Sequence, residues 1–287
     1  IAARYVAAGL HGRKTGRGYY TYPAERPGPG QGPGHRPEDP SPPEATVPGS
    51  GEGVIVIEGG SLVAEELRHA AAQAGYEVRS PHDPTGGVLP ALVIECERAP
   101  LQTANAAPSA AEQPQGGAHL ILCERGSLSA LDPGGSAVGF HALAPLEQGM
   151  LVELTRTDGS SPVAAARAER FFHTLGKHVA WVGDAPGLVL GRMICQVINE
   201  CAFALGEGVG DAQDIDTGMV LGLSYPRGPL EWADTIGLDR VLTMLGALQS
   251  EYGEERYRAA PALRALVQAG KLGRMTGVGF FDYTVET

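Results

Sequence analysis

The chain has 287 residues, 43% of them hydrophobic, and a net charge of −11; its length suits two globular domains and its composition excludes a largely disordered protein. The acidic balance also argues against a general nucleic-acid binder, which would carry a basic face. No apolar run of about 18 residues occurs, so the sequence predicts no membrane span.

A segment of 17 residues near the start of the chain is repeated near its other end. Residues 6–22 read VAAGLHGRKTGRGYYTY and residues 267–283 read VQAGKLGRMTGVGFFDY, with nine of 17 positions identical. A reused helix-end turn would explain the glycines but not the shared arginine and aromatic positions. Because the second copy ends the sequence, and the first residue is Ile1 rather than Met, we expect residues 1–22 to be the C-terminal remnant of a preceding helical domain.

Two segments have compositions that are typical of irregular structure. Residues 23–52 contain nine prolines and six glycines, which predicts a linker. Residues 99–118 are rich in alanine, glutamine and proline and predict a long surface loop.

Residues 53–183 alternate short apolar, β-branched runs with segments of helical periodicity, a pattern that favours a parallel sheet flanked by helices. The predicted strands cover residues 54–57, 76–79, 92–96, 120–123, 137–141, 151–155 and 178–182. Helices are predicted at 61–74, with Ser61 as N-cap, and at 163–175.

Residues 184–287 predict helices alone, at 187–205, after Asp211 or Asp214 as N-cap, and at 230–236, 238–251 and 262–270. The four cysteines show no metal-ligand spacing, so the sequence predicts no metal site. They lie in apolar runs, and we expect buried free thiols in a reducing, cytoplasmic compartment.

The turn after the first strand contains Gly59 and Gly60. In a dinucleotide-binding fold this turn holds the pyrophosphate on backbone N–H groups at a helix N-terminus. Of the GxGxxG signature only the middle glycine is present, at Gly60, because Glu58 and Val63 occupy the other two positions. We expect a structural turn, with cofactor binding at Gly59 and Gly60 as the alternative.

A histidine and a glutamate form the second candidate site. His141 ends one predicted strand, and Glu153 lies on the next, twelve residues later. A carboxylate that fixes the tautomer of a histidine makes a general acid–base pair. A buried polar pair without a catalytic role, or two unrelated surface residues, is the alternative.

Two stretches of the helical part, GEGVGDAQDIDTGMVLG and YPRGPLEWAD, resemble the C-terminal domain of the NAD-dependent 3-hydroxyacyl-CoA dehydrogenases, as do both GRKTGRG-type tails. The layout resembles long bacterial members that carry a complete dehydrogenase followed by a second, degenerate unit. The resemblance implies an α/β protein with a shortened Rossmann-like parallel sheet domain (53–183). An all-α, 6-phosphogluconate-dehydrogenase-like C-terminal domain (184–287) would follow it.

The resemblance also implies roles for individual residues. HALAP stands where the family has HFFNP, so His141 takes the place of the catalytic base and Glu153 that of the carboxylate orienting it. Ser127 adjoins the position of the serine that contacts the substrate hydroxyl. Two asparagines of the family are replaced by Ala144 and Gly191.

The activity implied by the resemblance is oxidation of the 3-hydroxyl of an acyl-CoA to 3-ketoacyl-CoA, with NAD as the hydride acceptor. It also implies a homodimer formed through the helical domain. Two hypotheses stay open. The chain is part of such a dehydrogenase with its own NAD site degenerate, or it is a non-catalytic structural or dimerisation half that supports an active upstream unit.

Overall fold

The computed structural model describes residues 2–21, 48–83, 88–100 and 117–284. The chain divides into two compact units, Ile1–Glu44 and Ala45–Thr287. Most of the predicted linker, 23–52, and of the predicted loop, 99–118, lies outside the described residues. In the first unit, helix α1 (Ala2–Ala7) is followed by a 3₁₀ turn at Arg13–Thr15.

The second unit begins with a sheet whose strand order is β2-β1-β3-β4-β5-β6-β7. Its strands are β1 (Val54–Glu58), β2 (Glu77–Arg79), β3 (Leu92–Glu95), β4 (Ala118–Leu122), β5 (Val138–His141), β6 (Leu151–Thr155) and β7 (His178–Trp181). Each lies within two residues of its predicted position. All neighbouring pairs are parallel except β5 and β6, which are antiparallel. The prediction of a parallel sheet is wrong for that pair, because the short connection between β5 and β6 holds no crossover helix.

Three helices accompany the sheet: α2 (Leu62–Gln73), α3 (Leu128–Leu131) and α4 (Pro162–Thr174). A serine side chain caps the N-terminus of each helix, as predicted for Ser61. Helices α2 and α4 cover one face of the sheet, where Ile57, Leu67 and Phe172 are among the buried residues. The short helix α3 was not predicted; it contributes Leu128 to a smaller cluster on the other face.

The rest of the unit is helical, as the periodicity predicts. Its helices are α5 (Leu190–Gly206), α6 (Ala212–Leu223), α7 (Pro229–Ile236), α8 (Leu238–Tyr252) and α9 (Pro261–Gln268). Helix α5 is central, since α6, α7, α8 and α9 all contact it. Cys195, Ile198 and Met244 are buried in this second core. Within the described ranges, no helix is long and apolar enough to cross a membrane, and no three potential metal ligands lie together.

Candidate functional site

Gly59 and Gly60 form the turn between β1 and α2, as predicted. Gly59 has a φ of 115°, and a Cβ there would lie 3.3 Å from Cys96 Cβ and from Glu97 Cγ, so only glycine fits without strain. The Gly60 N–H donates to Glu97 Oε1 at 3.0 Å. A backbone donor that a dinucleotide fold would offer to a phosphate oxygen is therefore already bound to a carboxylate.

The charges around this turn do not suit a pyrophosphate. Glu58 is exposed at the end of β1, and Glu97 reaches the turn from the segment after β3. Arg68 of α2, the nearby cation, donates to the carbonyl oxygens of Ile57 and Gly59. Bringing a dinucleotide here would place its negative charge beside two carboxylates. The residues present therefore do not fit NAD.

Sequence reasoning missed Glu97, although a signal for it exists. β1 and β3 are parallel neighbours, with Glu58 in register with Glu95. Residues that follow the two strands must therefore meet at one edge of the sheet. A carboxylate two positions after β3 is within reach of the first turn for that reason.

His141 ends β5 and is completely buried, with 0% of its surface exposed. Neither ring nitrogen hydrogen-bonds to any residue that the structure describes. Burial lowers the pKa of His141 to about 4, assisted by the positive charge of Arg240 and opposed by Glu124. The ring is therefore neutral at pH 7.

Glu153 lies directly opposite His141 in the antiparallel pair of β5 and β6, so both side chains are on one face of the sheet. Its Oε2 nevertheless accepts from Val189 N–H at 3.1 Å and Leu190 N–H at 2.8 Å, at the start of α5. Burial raises the pKa of Glu153, although the two hydrogen bonds act to lower it. The orienting hydrogen bond expected between Glu153 and His141 is not formed, and Glu153 Oε2 caps the start of α5 instead.

The ring of His141 is enclosed by the helical part of the unit. A Cβ at Gly191 of α5 would lie 2.6 Å from His141 Cε1 and Nε2, and 2.7 Å from Met244 Sδ. The ring thus fills the space that a side chain at position 191, an asparagine in the family resembled, would need. A general base must come within hydrogen-bond distance of the proton it removes, and here the protein's own atoms surround the base.

Ser127 is the N-cap of α3, and its hydroxyl accepts from Ala130 N–H at 3.3 Å. Its own N–H donates to Glu251 Oε2 at 3.2 Å. Asp184 accepts from the next two backbone N–H groups of the turn. The side chain is buried. The structure thus gives the serine a capping role, and contact with a substrate stays a prediction.

A buried ion pair that sequence reasoning missed lies near His141. Arg240 of α8 donates to both carboxylate oxygens of Glu124, which follows β4. Both side chains are buried, and both influence the pKa of His141. The pair connects the sheet to the helical part. Glu124, Ser127 and His141 all follow or end strands at one edge of the sheet, the edge that also carries Gly59 and Gly60.

Comparison with known proteins relates much of the second unit to one group of enzymes. Residues 187–283 match the family model described as 3-hydroxyacyl-CoA dehydrogenase, C-terminal domain. The chain is 40% identical over 146 residues to a 3-hydroxybutyryl-CoA dehydrogenase of Bradyrhizobium diazoefficiens, covering 51% of this chain and 50% of that protein. It is 39% identical over 150 residues to a probable 3-hydroxybutyryl-CoA dehydrogenase of Bacillus subtilis, covering 52% of each. The chain spans about half the length of these curated relatives.

A solved structure gives a broader match. The (S)-3-hydroxybutyryl-CoA dehydrogenase PaaH1 from Ralstonia eutropha is 32% identical, with a TM-score of 0.56, over 75% of this chain and 77% of that one. The match therefore extends beyond the helical part into the sheet.

Proposed function

This chain belongs to the 3-hydroxyacyl-CoA dehydrogenase family, and from that premise we propose that it is part of an NAD-dependent enzyme that oxidises the 3-hydroxyl of acyl-CoA thioesters to 3-ketoacyl-CoA. Within that enzyme its own nucleotide turn is degenerate. Its contribution is to support an active dehydrogenase unit rather than to carry out hydride transfer itself.

One observation carries the proposal: the Gly60 N–H is bound by the Glu97 carboxylate, with Glu58 beside it. To bind here, the dinucleotide would have to displace the Glu97 carboxylate from the Gly60 N–H and place its negative charge beside the Glu58 carboxylate. A hydrogen bond to a charged group typically contributes about 1.5–3 kcal/mol, which the dinucleotide would lose here. A turn that has lost its donor to an internal carboxylate is therefore poorly suited to catalysis.

A second candidate is favoured by the cross-strand placement of His141 and Glu153. Here this chain performs the proton transfer itself: His141 accepts the hydroxyl proton, Glu153 stabilises the imidazolium and Ser127 contacts the substrate. The burial of His141, and the capping bonds made by Glu153 and Ser127, favour the first candidate.

Titration of the purified chain with NADH, followed by assay of acetoacetyl-CoA reduction, tests the proposal. We expect no saturable binding at micromolar concentrations and no turnover, both with and without His141→Ala. An active family member, assayed in parallel, is the positive control. Micromolar binding, together with turnover that His141→Ala abolishes, would instead establish the second candidate.

We also propose a homodimer formed through the helical part. Helix α6 buries only Asp216 among its residues, whereas Leu221 is 79% and Leu223 64% exposed. Leu221 is therefore available on this helix for a contact with a second copy. All four cysteines are free and buried, which suits the reducing, cytoplasmic location that we propose.

A further inference from the structure

The two copies of the repeated sequence fold in the same way. We call residues 2–21 the first tail and residues 267–283 the second tail. In each, one antiparallel bridge closes a loop that contains a 3₁₀ turn, and a second antiparallel bridge follows. The matching backbone bonds are Gly12 N–H to Arg17 O with Gly273 N–H to Val278 O, at 3.0 Å each, and Gly18 N–H to Tyr20 O with Gly279 N–H to Phe281 O, at 2.8 Å each. The repeat is therefore one small structural motif that occurs twice.

The second tail is held by a buried carboxylate of α7. Asp234 Oδ1 accepts from Phe280 N–H and Oδ2 from Phe281 N–H, both at 2.9 Å. Oδ2 also accepts from the Tyr283 hydroxyl at 3.0 Å. Asp234 is buried, and Phe280 packs against the helical core. Asp234 therefore acts as a receptor for two adjacent backbone donors and one hydroxyl.

The glycines of the motif allow this close approach. A Cβ at Gly279 would lie 2.0 Å from Asp234 Oδ1, and one at Gly273 would lie 2.3 Å from the Asp234 carbonyl oxygen. Gly18 and Gly12 are the corresponding glycines of the first tail. They approach each other closely, since a Cβ at Gly18 would lie 2.7 Å from Gly12 Cα. The first tail thus has the backbone shape that fits such a receptor.

Among the described positions 2–21, the first tail has no counterpart of Asp234. Tyr19 and Tyr20 correspond to Phe280 and Phe281, and their N–H groups donate to no residue among the described positions 2–21. Their side chains are 65% and 73% exposed. A Cβ at Gly12 would meet nothing within 4 Å. The ring of Tyr19 stacks on that of Tyr5, with centroids 4.7 Å apart. The two backbone donors that the second tail uses for docking are therefore present in the first tail and unpaired among the described positions.

We propose that the first tail is a docking element for a second helical domain of the α5–α9 kind, which holds it through an aspartate equivalent to Asp234. Tyr22 stands in the sequence where the second tail has Tyr283, so the sequences of the two tails match at that position as well. The inference does not depend on the proposed activity, because it uses only the hydrogen bonds of the two tails.

A graft tests whether the first tail fits such a receptor. In the full chain, residues 267–283 are replaced by the sequence of residues 6–22. We expect the Tm to fall by less than about 5 °C, with the two grafted tyrosine amides protected from hydrogen exchange. Asp234→Ala should lower the Tm of the native and the grafted chain by similar amounts. An unfolded graft, unprotected tyrosine amides, or a graft that does not respond to Asp234→Ala would overturn the proposal.

A second experiment tests docking between chains. The receptor is the full chain carrying Gly279→Val, which ejects its own second tail, and Gly18→Val, which disables its first tail. When it is added to isotopically labelled wild-type chain, we expect the Tyr19 and Tyr20 amides to exchange at least about tenfold more slowly. The same receptor with Asp234→Ala is the matched control and should have no effect. Equal exchange with the two receptors would overturn the proposal.

Discussion

His141 lies against the backbone of α5, fully buried, and neither of its nitrogens bonds to a described residue. A buried polar group without a partner costs about 1–3 kcal/mol of stability. The lowered pKa of His141 reports the same environment, since burial disfavours the charged ring. At the scale of a single residue, the histidine that resembles a general base weakens the fold.

Replacing His141 by leucine should therefore change the pH dependence of stability. The ring has a pKa of about 4 in the folded chain and about 6.5 when unfolded. Between these values the unfolded chain binds more protons, so the free energy of unfolding falls as the pH is lowered through that window, by about 3 kcal/mol at most. Urea denaturation at about pH 7 and about pH 4.5 should show this fall in the free energy of unfolding in the wild type, and a smaller fall in His141→Leu.

The buried carboxylates Glu153 and Asp234 do not affect the comparison of the wild type with His141→Leu. Burial raises the pKa of Glu153 and of Asp234, which stabilises the folded chain in acid and so acts in the opposite direction. Both groups are present in wild type and variant alike. An identical pH slope in the two proteins would contradict the assignment to His141.

Gly191→Ala should be destabilising, because the new methyl group would lie 2.6 Å from the His141 ring. Overpacking of this kind costs about 1–3 kcal/mol in the free energy of unfolding. Gly246→Ala on α8 is the matched control: nothing lies within 4 Å of its Cβ, and alanine there should stabilise the helix by about 0.5–1 kcal/mol. Thermal denaturation measures both. Gly191→Ala should cost less in a His141→Ala background, and an unchanged cost would show that the ring is not the obstacle.

At the scale of single elements, α6 is the helix through which we propose that the dimer forms. Leu221→Asp should convert the expected dimer to monomer, because a carboxylate would be buried at the contact. Val163→Asp, at another exposed apolar position on α4, is the control and should leave the dimer intact. Analytical ultracentrifugation distinguishes the two states. A wild-type monomer, or a dimer that both substitutions leave unchanged, would rule out this helix as the contact.

Most elements could be predicted from the sequence, whereas their mutual arrangement could not. Runs such as residues 54–57 are β-branched and apolar, which fixes the strand locally. The direction of β6 against β5 depends on the connection between them rather than on either run. The bond from Gly60 to Glu97 spans 37 residues, so it follows from strand order and from no local pattern. The hydrogen bonds from the start of α5 to Glu153 could not be predicted either, because α5 and β6 come together only in the folded unit.

At the scale of the whole unit, Glu124 and Arg240 join the sheet to the helical part through a buried ion pair. Arg240→Met should cost about 3–5 kcal/mol, because it leaves Glu124 buried without a counter-charge. The double substitution Glu124→Leu with Arg240→Met should be close to neutral, since no charge is then left unpaired. A double-mutant cycle from urea denaturation gives the coupling energy. If the free-energy costs of the two single substitutions add up to the cost of the double substitution, Glu124 and Arg240 are not coupled.

The carboxylate of Glu97 in the first turn has a further consequence for the molecule. A binding turn that is completed by a free ligand is stabilised only to the extent that the ligand's concentration exceeds its dissociation constant. Glu97 is part of the chain, so it is never diluted or depleted. The strand–turn–helix unit at β1 and α2 is therefore kept in its folded form whatever the supply of dinucleotide around it.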